Sequence, residues 1–160
     1  MDKFKDLLAV QLKDIYCLEK ESLHLLPELK SAADNNNLKE IIEAQIVTSS
    51  SNLNKVIKAS KLINVDVQNQ ECDFLKTVVN KAADYVNNGP LNDAGILAQI
   101  ERINNYKVAI YKTAVRFSKE LDYNKLSLEL QNFTNFTYNI IDRFDRFNDV
   151  QSDQRAIYKL

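Results

Sequence analysis

An all-α four-helix bundle is the fold this 160-residue chain predicts, on three observations. Glycine and proline occur only twice each, too few for the turns of a β-architecture or for the glycine-rich loops that approach a phosphate. Apolar residues recur at helical spacing along four long stretches. Between the second and third stretches lies a connection, Asn64 to Leu91, long enough to run back along the bundle as a crossover.

The first helix is expected from Asp2 to Ala33, with Phe4, Leu8, Ile15, Leu23 and Leu26 on one stripe and Leu7, Leu12 and Leu18 beside it. Pro27 should kink it or thin its hydrogen bonding. A turn at "ADNNN" leads to a second helix, Leu38 to Leu62, carrying Ile41, Ile42, Ile46, Leu53, Val56 and Ile57. A shorter helix is expected from Cys72 to Val86, closed by Gly89 and Pro90. Two more long helices follow, Asn92 to Leu121 and Lys125 to Asn148, the last bearing Leu130, Phe133, Phe136, Ile140, Phe144 and Phe147. Residues 1–150 thus read as one bundle and 151–160 as a loose tail.

With 21 basic and 22 acidic residues the net charge is −1, so no global field draws nucleic acid or an anionic membrane. No apolar run reaches the roughly 20 residues that span a bilayer, and "MDKFKDLL" is charged where a signal peptide is apolar. The expected location is the cytoplasm. There, Cys17 and Cys72 read as small buried hydrophobes, a disulfide being the less favoured alternative.

Polar residues interrupt the inward stripes. The first helix places Glu19 among Ile15, Leu18, Leu23 and Leu26, a costly position for an uncompensated carboxylate. Gln45, Thr48, Ser49 and Asn52 lie on or beside the stripe of the second helix, Asn104, Lys107 and Tyr111 on the fourth, and Asn132, Asn135, Thr137 and Asn139 among the phenylalanines of the fifth. Mid-bundle is where a carboxylate-bridged metal pair would sit, and that chemistry needs about four carboxylates, often with two histidines. One carboxylate among amides and hydroxyls cannot balance two dications. No nucleotide, hydrolase or zincin motif is present; Ser49–Ser51 has no base beside it in sequence, and "RFDRF" at 143–147 reads as an amphipathic helix end.

"LKDIYCLEKESLHLLPELKSAA" resembles the opening helix of the YciF-like bacterial stress proteins, a ferritin-like branch, through Leu12, Asp14, Tyr16, Glu19, Lys20 and Pro27. "LKEIIEAQIVTSSSNLNKV", "ECDFLKTVV" and "DAGILAQIERINNYKVAIYKT" resemble later segments of the same family in the same order, the last through Asp93, Ala94, Tyr106, Ala109, Tyr111 and Thr113. The resemblance spans about residues 7 to 145. It implies a ferritin-like bundle with a short extra helix in the crossover and, in the family, a dinuclear metal centre.

The ligand positions depart from the family. Of those that resemble ligands only Glu19 is kept, while Thr48, Asn52, Asn104, Asn105 and Lys107 stand where acids and histidines would, and Asp142 is the only acid near the matching stretch of the last helix. These six positions, Glu19 included, read as a vestigial metal site, with no cofactor and no catalysis expected. The ammonium of Lys107 is expected to pair with Glu19; the alternative is that Lys107 extends to solvent and a tyrosine hydroxyl bonds Glu19. The expected role is structural or interactive, stress-associated by resemblance, in a homodimer formed through the outer helix faces. The alternatives are a weak iron or manganese site with residual oxidase or iron-handling activity, and a small-molecule binder using the vacated cavity.

Overall fold

The computed structural model describes residues 2–69, 71–73, 76–77 and 92–158, with side chains described from residue 3 to residue 151 within those ranges. Among the described residues run four long helices: α1 (Asp2–Ala32), α2 (Asn36–Lys61), α3 (Asn92–Glu120) and α4 (Asn124–Tyr158).

Each boundary has a local cause. Asn35 caps α2, its side chain accepting from the backbone N–H groups of Asn37 and Leu38 at 2.8 and 3.3 Å. At the far end Asn64 takes a left-handed backbone, φ 57°, and Val65 N–H closes onto the Ser60 carbonyl at 3.0 Å. Asp122, φ 56°, ends α3 in the same way, with Tyr123 N–H donating to Ser118 at 2.9 Å. Helix α1 continues through Pro27, which sits on its exposed side. Helix α4 corrects the sequence reading: "QSDQRAIY" extends it to Tyr158 rather than forming a tail after residue 150. The stretch holds neither glycine nor proline and contains good helix formers, so nothing in it stops the helix.

Side-chain contacts set the topology. Phe4 of α1 packs on Phe117 of α3, ring centroids 5.8 Å apart, while at the opposite end the Asn92 amide donates to the Ala32 carbonyl. Helices α1 and α3 therefore run antiparallel. The short turns at 33–35 and 121–123 make α1 and α2, and α3 and α4, antiparallel neighbours, so α2 and α3 run the same way and need a connection spanning the bundle. Around the bundle α1 neighbours α2 and α3, and α4 neighbours the same two; α2 and α3 face each other diagonally.

The start of α3 is clasped to the α1–α2 turn. Asp93 accepts from the backbone N–H groups of Asp34 and Asn35 at 2.8 and 3.0 Å, which also places its negative charge in the first turn of its own helix. Of the helix expected from Cys72 to Val86, Lys76 N–H donates to the Cys72 carbonyl at 2.8 Å and the Thr77 hydroxyl to Asp73 at 2.9 Å; the rest, with Gly89 and Pro90, lies outside the described residues.

The core runs the length of the bundle through Leu8, Leu12, Ile15, Leu26, Leu38, Ile42, Val56, Ile96, Ile100, Leu130 and Phe133, all almost fully buried. Phe4, Leu7 and Phe136, placed inward by spacing alone, are on the rim and exposed; the Lys55 ammonium covers the Phe136 ring. Asn132, Asn135 and Asn139 lie on the solvated face of α4. The inward polar residues there are Thr134 and Thr137, whose hydroxyls donate to carbonyls one turn back at 3.0 and 2.9 Å.

The cysteines also depart from the sequence reading. Cys17 of α1 and Cys72 form a disulfide with a Cα–Cα distance of 5.4 Å. The two are 55 residues apart in sequence, and nothing in their spacing points to their meeting.

Candidate functional site

Halfway along the bundle the hydrophobic core gives way to a polar layer. Helix α1 contributes Glu19; α2 contributes Gln45, Ser49 and Asn52; α3 contributes Asn104, Lys107 and Tyr111; all are at most 4% exposed. The i+3 and i+4 spacings within α2 and α3 put each triplet on one face. Thr137 and Ile140 of α4 close the fourth side.

Every member of the layer is engaged. The Lys107 ammonium donates to one Glu19 oxygen at 3.2 Å and to the Ser49 hydroxyl at 3.1 Å. The Tyr111 hydroxyl donates to the other Glu19 oxygen and is itself bonded by Asn52. Across the diagonal, Gln45 and Asn104 exchange amide hydrogen bonds, Nε2 to Oδ1 at 2.7 Å and Nδ2 to Oε1 at 3.3 Å. Thus the one carboxylate meets both an ammonium and a phenol, and Lys107 does not extend to solvent. A charge pair this deep repays its desolvation only with further hydrogen bonds around it; Ser49 gives the ammonium one and Tyr111 gives the carboxylate another.

Burial first, then the negative charge of Glu19 and the bond to it, push the Tyr111 phenol well above its ordinary range, against a smaller opposing effect of Asn52. The folded state therefore holds the phenolic proton after the unfolded chain has released it. The stability this contributes is complete below about pH 10 and is lost as pH rises beyond that. Tyr111→Phe should lack this component: in urea titrations above pH 10, its unfolding free energy should fall less steeply than the wild type's, by about 1.4 kcal/mol per pH unit. Equal slopes would show that the phenol is not the proton holder.

The expected site residues divide. Glu19, Asn52, Asn104 and Lys107 meet in the layer. Thr48 is half-buried at its edge, and its hydroxyl donates to Ala44 at 3.0 Å. Asn105 lies outside: one residue is about 100° of helix, which turns it to solvent, where it bonds the Glu101 carbonyl at 2.9 Å. His24 is exposed, and Asp142 is exposed and paired with Arg146 at 2.8 Å. Gln45, Ser49 and Tyr111 complete the layer; their one-turn spacing from Ile41, Gln45 and Lys107 is the signal that connects them. Asp14, half-buried on α1, and Tyr106, exposed on α3, carry part of the resemblance and interact electrostatically. Partial burial, then the Asp14 charge, raises the Tyr106 phenol, and burial raises the Asp14 carboxyl.

The donor set does not fit a dinuclear metal centre. Its only carboxylate is already neutralised by Lys107, and among the described residues no group of three or more His, Cys, Asp or Glu is placed to hold a metal ion. The expected vacated cavity is also filled: the space left among these side chains is about 10 Å³, the lower limit for one water.

A family model described as domain of unknown function DUF892 matches residues 3–148. Protein YciF of Escherichia coli K12 is 21% identical over 129 residues, 78% of either chain. The crystal structure of the E. coli stress protein YciF superposes with a TM-score of 0.82 at 18% identity, covering 92% of this chain and 95% of that one. YcfI of Rhodopseudomonas palustris, a protein to which a structural role is provisionally assigned, gives the same TM-score at 19% identity over 89% and 92%. At these identities the superpositions establish the four-helix fold, and the extent of the family match establishes the rest: the chain is a member of the DUF892, YciF-like family.

Proposed function

We propose that this chain is a metal-free, non-catalytic ferritin-like bundle with a structural or interaction role in a stress response, acting in the cytoplasm as a homodimer through its outer helix faces. One observation carries the reading: the Lys107 ammonium lies 3.2 Å from the single buried carboxylate of the central layer, so the positive charge that a metal would supply is supplied by the chain itself. The surrounding amides and hydroxyls are satisfied by one another, leaving no anionic oxygens to balance a dication. The stress and structural descriptions of the relatives support the role. No described helix is long and apolar enough to cross a membrane.

Metal analysis after loading the purified protein with iron or manganese tests this. Well under one ion per chain is expected. Binding that approaches two ions per chain and disappears in Glu19→Ala would replace the proposal with a functioning metal site.

A further inference from the structure

We propose that the outer face formed by α3 and α4 is a self-complementary dimer interface, its basic half meeting the acidic half of a second copy of this chain around a twofold axis. The inference rests on the homodimer reading above and assigns the face. The Lys112 ammonium lies 5.4 Å from the centroid of the Tyr138 ring, and Lys112, Arg116 and Lys119 line one groove with Gln131. These contacts fix which side of each helix borders the other. At about 100° per residue, Arg116 and Lys119 point within about 40° of Lys112, and Glu101, three turns earlier, within about 20° of it. By the same count Asp142, Asp145 and Asp149 point within about 40° of Tyr138. All of these charged side chains are exposed.

Position along the bundle separates these charges by sign. On antiparallel helices, residues equally distant from the turn at 121–123 are level. Lys112, Arg116 and Lys119 therefore lie near the turn, while Glu101 lies level with the aspartates, about 22 Å from Arg116 along the helices. Glu120 borders the basic groove and Arg146 pairs with Asp142 at 2.8 Å, yet each half keeps an excess of its own sign. A twofold axis perpendicular to the helices, crossing the face near Tyr138, lays α3 antiparallel on α3 of the second copy. Arg116 then stands opposite the second copy's Glu101 and Lys119 opposite its Asp149, each pairing occurring twice by symmetry. A face of one sign would repel its copy, whereas a face divided in this way attracts it in this orientation. The 29 residues of α3 and the helix beside them present a face of about 40 Å by about 20 Å, close to the roughly 800 Å² a side that stable dimers bury.

Sedimentation equilibrium of the full chain across a concentration series tests it. The wild type should be a dimer whose dissociation constant rises with added salt. Arg116→Glu and Glu101→Arg each set like charges against each other twice, so each alone should raise the dissociation constant by about tenfold or more, with far-UV helicity unchanged. An equimolar mixture of the two variants should return to the wild-type dissociation constant as a heterodimer, because each supplies the charge that the other lacks. A wild-type dimer that both variants leave intact would move the interface to another face, overturning this assignment while the homodimer stands. A monomeric wild type would overturn both, and single variants that weaken the dimer but fail to recombine would overturn the pairing of Arg116 with Glu101.

Discussion

Lys107→Met is expected to lower the unfolding free energy by about 3–5 kcal/mol, because it leaves Glu19 buried without its cation. The methionine fills most of the lysine's volume, which separates the electrostatic loss from a packing loss. The double variant Glu19→Gln/Lys107→Met removes both charges and should recover most of the difference, since neutral polar groups of the same shape remain beside Tyr111, Asn52 and Ser49. Urea unfolding of the wild type, both singles and the double forms a cycle whose interaction term isolates the pair. A Lys107→Met loss below about 1 kcal/mol, or a double variant no better than the single, would mean that the layer does not depend on this ion pair.

Cys17→Ser is expected to cost about 4 kcal/mol relative to the oxidised wild type, from the loop of 55 residues that the disulfide closes in the unfolded chain. The effect lies mainly in the denatured state, so the denaturant dependence should steepen as well, as an uncrosslinked chain exposes more surface. The remaining stability should still hold the four helices together. Denaturation of the oxidised wild type beside the variant checks this; coincident curves would show that the cross-link constrains nothing on unfolding.

The sequence made some of these features legible and hid others for identifiable reasons. The four long helices announced themselves through apolar spacing, and Glu19 stood out as the one acid on a stripe of leucines and isoleucines. Lys107 followed from its position on the inward face of α3. The amide pair Gln45–Asn104 was not legible, because it joins helices that face each other diagonally and no spacing within either one specifies a partner. Asn104 and Asn105 were indistinguishable by composition; only rotation about the helix axis separates a buried amide from a solvated one. The disulfide was hidden by sequence separation, and the end of α4 by the absence of any stop residue where its apolar pattern fades.

The clasp of Asp93 onto Asp34 and Asn35 has a reach beyond its own turn. Along α3 the interval from Asp93 to Lys107, and along α1 the interval from Glu19 to its end at Ala32, each amount to about 20 Å of helix. Two antiparallel rods pinned at one end and cut to matching lengths bring their charges level at the other. The clasp thereby acts as a gauge block: sliding α3 by one turn would carry Lys107 about 5 Å past Glu19, and the two backbone N–H groups held by Asp93 are what such a slip must first give up.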